Sequence, residues 1–490
     1  MRSTLGHPMF VGRRRELGLL LGRLDRIRSQ GEGQAVAIRG RRQVGKSRLV
    51  QEVCDRAEVP YCFFTAVKGA SPRESLGKFL DTLRESSLVS DRVRETLPDT
   101  APADWGDLFK LLDSVLPDGP SVVVLDELPW LSEQAVTFDG YLQVAWDRGL
   151  SRKPVLLLLL GSDLHMMQRF TEYDRPFYGR ANSMILNALN PAEVAQQAGV
   201  TGSDAIDAHL VTGGLPGIVS TWETGMPALD YLNAQVVDQS SPLFTVPEAA
   251  LASEFPLPDM MSRAFEAIGG LGGRTFSNIA GEAGSGGEAV SSGTLSPVMH
   301  RLTGQKKIIA VDRPLSTEPS KLALYRIADS NLSLYVAMLR DVHEQVRRER
   351  DAGARAIIAK RWSSWRGRAV EPLIQDALAR AGSEGRLPWD DVLEVGGWWN
   401  RKGNPEIDLV GVDKAPVAKQ VAFAGSIKWQ DGPFDRHHFA DLVRHAPMIP
   451  GFEPSRSGLV VVSRSGVEPA VTGLADVVWG PDDVLGAWAV

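Results

Sequence analysis

The chain has 490 residues, of which 43% are hydrophobic and 23% are charged, and its formal net charge is −6. This length and apolar content allow several packed cores, so we expect about three domains. The negative balance excludes a global positive field that would attract nucleic acid or membranes, and any such contact must come from a local patch.

The first 189 residues alternate short apolar runs with helical segments, which is the pattern of a parallel sheet covered by helices. Residues 35–38 predict a strand, a glycine-rich loop follows, and residues 47–55 predict the start of a helix. The apolar runs 121–125 and 155–160 lack polar alternation, as expected of strands buried on both faces. We therefore predict an α/β fold, a three-layer sandwich.

The remainder of the chain predicts further domains. Residues 190–256 are helical and suit a lid, whereas residues 257–340 combine helical stretches, glycine-rich turns and short strands, which is typical of a winged helix. A charged helix over residues 341–361 is predicted to link this part to the last domain. That domain, residues 362–490, predicts an α/β arrangement of a helix followed by strands around 392–395, 406–412, 417–428 and 459–462.

The spacing of Gly40, Gly45, Lys46 and Ser47 matches G-x-x-x-x-G-K-S, the phosphate-loop pattern, and it lies between the first predicted strand and its helix. The predicted α/β sandwich is therefore that of a P-loop NTPase. The glycines of this pattern let backbone N–H groups face phosphates, Lys46 reaches the β and γ phosphates, and the Ser47 hydroxyl holds Mg²⁺. The residues predicted to bind ATP are Gly40, Arg41, Arg42, Gln43, Val44, Gly45, Lys46 and Ser47.

A second motif places two carboxylates just beyond the buried run 121–125. Asp126 is predicted to bind the Mg²⁺ shell, and Glu127 to orient or deprotonate a water molecule. The next apolar run ends in Ser162, whose hydroxyl would lie near the γ-phosphate at the same sheet edge. Alternatively, both carboxylates are solvated charges at a strand end, and any strand can end in serine.

Several motifs occur together, namely 10–16, the phosphate loop, 125–127, 161–162 with 166–167, 175–180 and 213–216. Together they resemble the archaeal-type ATPases, which are relatives of the AAA+ and STAND NTPases. The resemblance implies that Val11 and Gly12 contact the adenine, and that Arg180, or as an alternative Arg175, is supplied to the γ-phosphate. The alternative interpretation is that Arg175 and Arg180 are surface residues of a loop and do not contact the nucleotide.

The same resemblance covers a winged helix and a C-terminal nuclease-like domain. Residues 276–280 and 294–302 resemble the central helices of a helix-turn-helix, with a wing over 308–325. A DNA reader needs basic residues on this helix and wing, and the candidates are His300, Arg301, Lys306, Lys307 and Arg313. Contact with duplex DNA, contact with proteins and a lid over the nucleotide all stay open.

In the last domain, Glu371, Asp408 and Lys428 resemble the PD-(D/E)xK nuclease core. That chemistry needs several carboxylates to hold Mg²⁺ and a lysine to position water. Ser426 stands where a further acid is expected, which removes a metal ligand, although Glu406 shares the strand of Asp408 and could share its face. We therefore predict a degenerate nuclease fold that serves binding or folding.

The leading functional hypothesis is an ATP-driven switch or motor of the AAA+/STAND type that uses ATP and Mg²⁺. The alternatives are an ATP-regulated DNA nuclease, disfavoured by Ser426, and a non-enzymatic nucleotide-binding regulator. Cys54 and Cys62, without metal-ligand neighbours, favour buried thiols in a reducing compartment. Since no apolar run could span a bilayer and no signal segment is present, we expect a cytoplasmic protein without membrane contact, and leave protein partners and homo-oligomers open.

Overall fold

The computed structural model describes residues 10–173, 175–257, 259–284 and 288–488. The chain divides into two compact units, one ending at Ala188 and one beginning at Leu189. Each unit contains a five-stranded sheet. Within the described ranges, no helix is long and apolar enough to cross a membrane.

The sheet of the first unit is parallel throughout. Its strands are β1 Gln34–Arg39, β2 Tyr61–Thr65, β3 Ser121–Asp126, β4 Val155–Gly161 and β5 Ala181–Ile185. They lie in the order β2-β3-β4-β1-β5, so the strand before the phosphate loop is flanked by β4 and β5. Every residue of β3 and β4 is buried, as expected of central strands covered on both faces. The predicted α/β fold of a P-loop NTPase is confirmed.

The helices of the first unit are α1 Arg14–Gln30, α2 Lys46–Ala57, α3 Pro72–Glu85, α4 Asp91–Arg94, α5 Trp105–Val115, α6 Leu128–Gln134, α7 Phe138–Arg148 and α8 Leu164–Phe170. An aromatic core joins α3, α5 and α7 to one face of the sheet, with the Trp105 and Phe138 ring centroids 4.9 Å apart. Helix α1 buries Leu17, Leu20 and Leu24, a helical spacing of apolar residues. The helices packed on the sheet hold in place the strand ends from which the phosphate loop extends.

The second unit begins with a helical segment. Its helices are α9 Pro191–Ala198, α10 Gly202–Thr212, α11 Pro216–Val219, α12 Ala228–Gln235 and α13 Pro242–Glu254. Helix α9 starts with a capping box in which Asn190 and Glu193 satisfy each other's backbone N–H groups. Helix α10 is buried along most of its length, including its carboxylate Asp207.

The next segment packs three helices against a two-stranded hairpin. These elements are α14 Met260–Ile268, α15 Phe276–Glu282, α16 Ser292–His300, β6 Ile309–Asp312 and β7 Leu324–Ile327. The strands are antiparallel, and a bridge from Arg274 to Tyr325 adds a third extended stretch. Phe265, Ile279 and Leu295 hold the helices in one core. In chain order the three helices precede the hairpin.

The single helix predicted over residues 341–361 is wrong. The chain forms α18 Arg340–Arg347 and α19 Asp351–Ala369 instead, and a π-helical turn Tyr335–Leu339 joins α18 to the preceding α17 Ser330–Leu334. The break falls in a run of arginines, where Glu349 adopts a left-handed backbone with φ of 56°. Like charges disfavour continuing one helix through this run, whereas Asp351 favours a new N-terminus.

The C-terminal elements are α20 Glu371–Ser383, β8 Glu394–Trp399, β9 Glu406–Val412, β10 Val421–Lys428, α21 Arg436–His445, β11 Gly458–Ser463, β12 Val477–Trp479 and α22 Pro481–Gly486. The sheet order is β12-β11-β10-β9-β8. Strand β10 pairs parallel with β11 and antiparallel with β9, so the sheet is mixed. Strand β9 has the predicted bounds, and β8, β10 and β11 overlap the predicted runs 392–395, 417–428 and 459–462, whereas β12 was not predicted.

An ionic cluster with a buried centre connects helix α10 to this last domain. Asp207 accepts hydrogen bonds from the Trp429 indole at 2.9 Å and from Arg366 and Arg464 at 3.2 Å each. Asp431 accepts from the same two guanidinium groups at 3.0 Å. Asp207 and Arg366 are buried, whereas Asp431 is 78% exposed, so the cluster pairs buried charges at its centre with a carboxylate at the surface.

Candidate functional site

The phosphate loop connects β1 to α2 and has a tight backbone. Gln43 and Gly45 are left-handed, with φ of 65° and 90°. A Cβ atom on Gly40 would lie 2.4 Å from the carbonyl oxygen of Leu186, so only glycine fits there. The two glycines of the sequence pattern are therefore required by close approach at Gly40 and by backbone conformation at Gly45.

Lys46 lies inside this loop. Its side chain is 6% exposed, and its ammonium group donates to the carbonyl oxygens of Gly40 at 2.8 Å and Arg41 at 2.9 Å. Burial lowers the pKa of Lys46, and the carboxylates of Glu127 and Asp126 oppose that shift. The loop thus surrounds a cation that two carboxylates face.

Ser47 and Asp126 meet at the next position. The Ser47 hydroxyl donates to Asp126 Oδ2 at 2.7 Å, and the N–H of Glu127 donates to Asp126 Oδ1 at 2.9 Å. Burial raises the pKa of Asp126, whereas the hydrogen bond from Ser47 lowers it. A hydroxyl and a carboxylate oxygen are ligands that Mg²⁺ prefers, so the pair fits the predicted metal position.

Glu127 and Ser162 come together from the ends of β3 and β4. The Ser162 hydroxyl lies 2.6 Å and 2.8 Å from the two carboxylate oxygens of Glu127 and donates to them. Glu127 has a φ of 55°, an uncommon conformation for a residue with a side chain, at a cost of about 1–2 kcal/mol. Both the backbone and the hydroxyl therefore fix the direction of this carboxylate.

The segment before α1 is attached to the phosphate loop through Arg13, a residue for which the sequence predicts no role of its own. Arg13 is 4% exposed, and its guanidinium donates to the carbonyl oxygen of Val44 at 2.9 Å. Its neighbours Val11 and Gly12 are half-buried, and Gly12 is left-handed. A contact between residues 31 positions apart leaves no local signal in a sequence.

Arg180 immediately precedes β5. Its guanidinium makes a two-pronged ion pair with Asp147, at 2.7 Å and 2.8 Å, and also donates to the carbonyl oxygen of Tyr178. Asp147 in turn has a pKa lowered by the hydrogen bond from Arg180. The side chain is thus engaged by a carboxylate of helix α7. Arg175, the alternative arginine, is half-buried.

The nuclease-like residues gather at one region of the C-terminal sheet. Burial, together with the charges of Asp408 and Glu406, raises the pKa of Glu371 to about 8. Asp408 Oδ2 accepts from the Ser426 hydroxyl at 3.0 Å and from the Ile427 N–H at 2.7 Å. Ser426 therefore acts as a hydrogen-bond donor to Asp408 at the position where a nuclease would carry an acid.

Lys428 lies on the same strand as Ser426, two residues further, so the two share a face of β10. Among the residues that the structure describes, no group of three His, Cys, Asp or Glu side chains could hold a metal ion.

Comparisons with known proteins agree with the first site. Residues 9–153 match the family described as AAA ATPase domain, and residues 335–440 match a family described as archaeal and bacterial proteins of unknown function. No protein of curated function matches the chain.

Many solved structures are similar to this chain, and two of them illustrate the low identity. A Walker-type ATPase of Pyrococcus abyssi is 17% identical, with 67% of this chain and 96% of that chain covered and a TM-score of 0.45. The ORC2 protein of Aeropyrum pernix, in ADPNP–ADP complexes, is 15% identical, with 70% and 96% covered and a TM-score of 0.46. The phosphate loop and the AAA domain match together define an ATP-binding ATPase domain.

Proposed function

We propose that the chain hydrolyses ATP at the carboxyl edge of β1, β3 and β4 and uses the reaction to drive a conformational switch. The observation that carries the proposal is the adjacency of two pairs, Ser47 with Asp126 and Ser162 with Glu127. The first pair suits a Mg²⁺ ion, and the second pair presents an oriented carboxylate beside it. Steady-state phosphate release by the full chain tests the proposal.

Each residue then has one task. The backbone of residues 40–47 binds the phosphates, and Lys46 leaves the loop carbonyls to neutralise the β and γ phosphates. Ser47 and Asp126 hold Mg²⁺, which, when bound, offsets the charge of the phosphates. Glu127 accepts a proton from the attacking water.

The adenine and the arginine complete the proposed site. Val11 and Gly12 would contact the base, with Arg13 fixing their segment to the phosphate loop. Arg180 would stabilise charge on the γ-phosphate. It must first separate from Asp147, because an arginine held by a carboxylate is not free to bind a phosphate.

Ser162→Ala is expected to lower kcat about tenfold while KM for ATP stays within about twofold. The reason is that the variant loses only the hydrogen bond that orients the charged Glu127 carboxylate. Ser162→Thr, which keeps the hydroxyl, should retain most turnover. Initial rates over a range of ATP concentrations measure both constants. A rise in KM with unchanged kcat would assign Ser162 to nucleotide binding instead.

Contact of the winged helix with duplex DNA stays a prediction. Of the five basic side chains named from the sequence, Lys306 donates to Glu254 at 2.6 Å, and its charge is therefore compensated within the domain. His300, Arg301 and Arg313 are exposed. We leave DNA out of the proposed function, since these few charges give a small electrostatic footprint.

A second candidate, an ATP-regulated DNA nuclease, leads to a separate prediction. We expect no cleavage of linear or supercoiled DNA in Mg²⁺ or Mn²⁺, with or without ATP, because Ser426 donates to Asp408 and supplies no anionic ligand. Agarose gels of the purified full chain measure this. Cleavage that disappears in Asp408→Ala would establish the nuclease and give Glu406 a role as a metal ligand.

A further inference from the structure

The loop between β6 and β7 would form the exposed wing of a winged helix, yet part of it is buried. We name residues 314–318 the strap. Pro314, Leu315 and Ser316 are buried, whereas Arg313 before them and Glu318 after them are exposed. The strap belongs to the same compact unit as the C-terminal sheet.

The strap is bonded to three stretches of the C-terminal domain through its backbone. The Leu315 N–H donates to the carbonyl oxygen of Gly397 at 3.0 Å, on strand β8. The Ser316 carbonyl accepts from the N–H of Ala418 at 3.0 Å, and Ser316 forms a parallel bridge with Val417. The Thr317 N–H donates to the carbonyl oxygen of Pro450 at 3.1 Å. Since β8 is the last strand of its sheet, the strap bonds to an edge that would otherwise have unpaired backbone groups.

The side chains of the strap pack against the C-terminal domain, at positions where that domain has glycines. Leu315 is 7% exposed and belongs to the core of the C-terminal domain with Trp398 and Ile407. A Cβ atom on Gly396 would lie 3.1 Å from the Leu315 side chain, and one on Gly451 would lie 2.2 Å from Thr317 Cγ2. The two glycines therefore make room for the strap, and Gly451 also has a left-handed φ of 92°.

We propose that the C-terminal domain is a peptide-binding module whose ligand is the strap of its own chain, an extended segment with one leucine as its anchor. Backbone hydrogen bonds at a sheet edge give affinity, and a pocket for one side chain gives register, as in strand addition generally. This role is independent of ATP hydrolysis.

The first experiment compares Leu315→Ala with Val311→Ala in the full chain. Val311 lies on β6 of the same hairpin, is 37% exposed and is outside the strap, so it is a matched control. Hydrogen exchange read by mass spectrometry should rise about tenfold or more in peptides covering the strap, residues 394–399 and residues 417–420 of Leu315→Ala only. Equal exchange in the two variants would overturn the proposal.

The second experiment decides the matter even if Leu315→Ala does not fold. Neighbouring extended segments lie about 4.8 Å apart, within the range of a disulfide, so Ser316→Cys with Val417→Cys should cross-link under mild oxidation. Ser320→Cys with Val417→Cys is the control pair. The native Cys54 and Cys62 are buried and free, and burial raises the pKa of each to about 12, so they do not compete. A yield no higher than that of the control pair would contradict strap binding.

Discussion

Lys46→Ala should weaken ATP binding at least about 100-fold, because the variant loses a cation that can make charge-assisted hydrogen bonds to two phosphates. Lys46 is buried within its loop and faces Asp126 and Glu127. Isothermal titration with ATP and Mg²⁺ measures the dissociation constant.

Lys68→Ala is the control for this variant, since Lys68 is an exposed lysine of the same domain. Because the Lys46 ammonium also bonds to the carbonyl oxygens of Gly40 and Arg41, thermal unfolding without nucleotide must be compared as well. An unchanged dissociation constant in a folded Lys46→Ala protein would refute the assignment of the phosphate loop.

Glu127→Gln should leave ATP affinity within a few-fold of wild type and slow hydrolysis by about 100- to 10,000-fold. The amide keeps the shape of the side chain and can still accept the hydrogen bond from Ser162, but it cannot accept a proton from water. Single-turnover hydrolysis measures the chemical step without product release.

Glu133→Gln is the matched control, because Glu133 lies on the following helix α6 and is exposed. It should hydrolyse ATP at the wild-type rate. If Glu127→Gln is as fast as this control, the proton acceptor is another residue and Glu127 only supports the Mg²⁺ site.

The strands that could be predicted from the sequence are those with an unambiguous physical signal. β3 and β4 are buried on both faces and therefore lack polar alternation, and β9 lies within the bounds expected for it. β5 was not predicted because it is an edge strand whose Asn182 and Ser183 are exposed, and the sequence of a polar edge strand resembles that of a loop.

The same distinction holds for the candidate site. The spacing of the phosphate loop is local, so its glycines, Lys46 and Ser47 could be predicted from the sequence alone. The Arg13 contact with Val44, the hydrogen bonds between Ser162 and Glu127 and the burial of Leu315 join distant parts of the chain. Pairings of this kind are set by tertiary packing, and one sequence contains no periodicity that reports them.

Phosphate release from Mg-ATP by the purified full chain, measured beside Lys46→Ala and Glu127→Gln, decides whether this protein turns over the nucleotide. We expect continuous release by the wild type and loss in both variants, with ATP still bound by Glu127→Gln and not by Lys46→Ala. Wild-type release no faster than that of Lys46→Ala, in a protein that binds ATP, would contradict hydrolysis and favour a nucleotide-binding regulator.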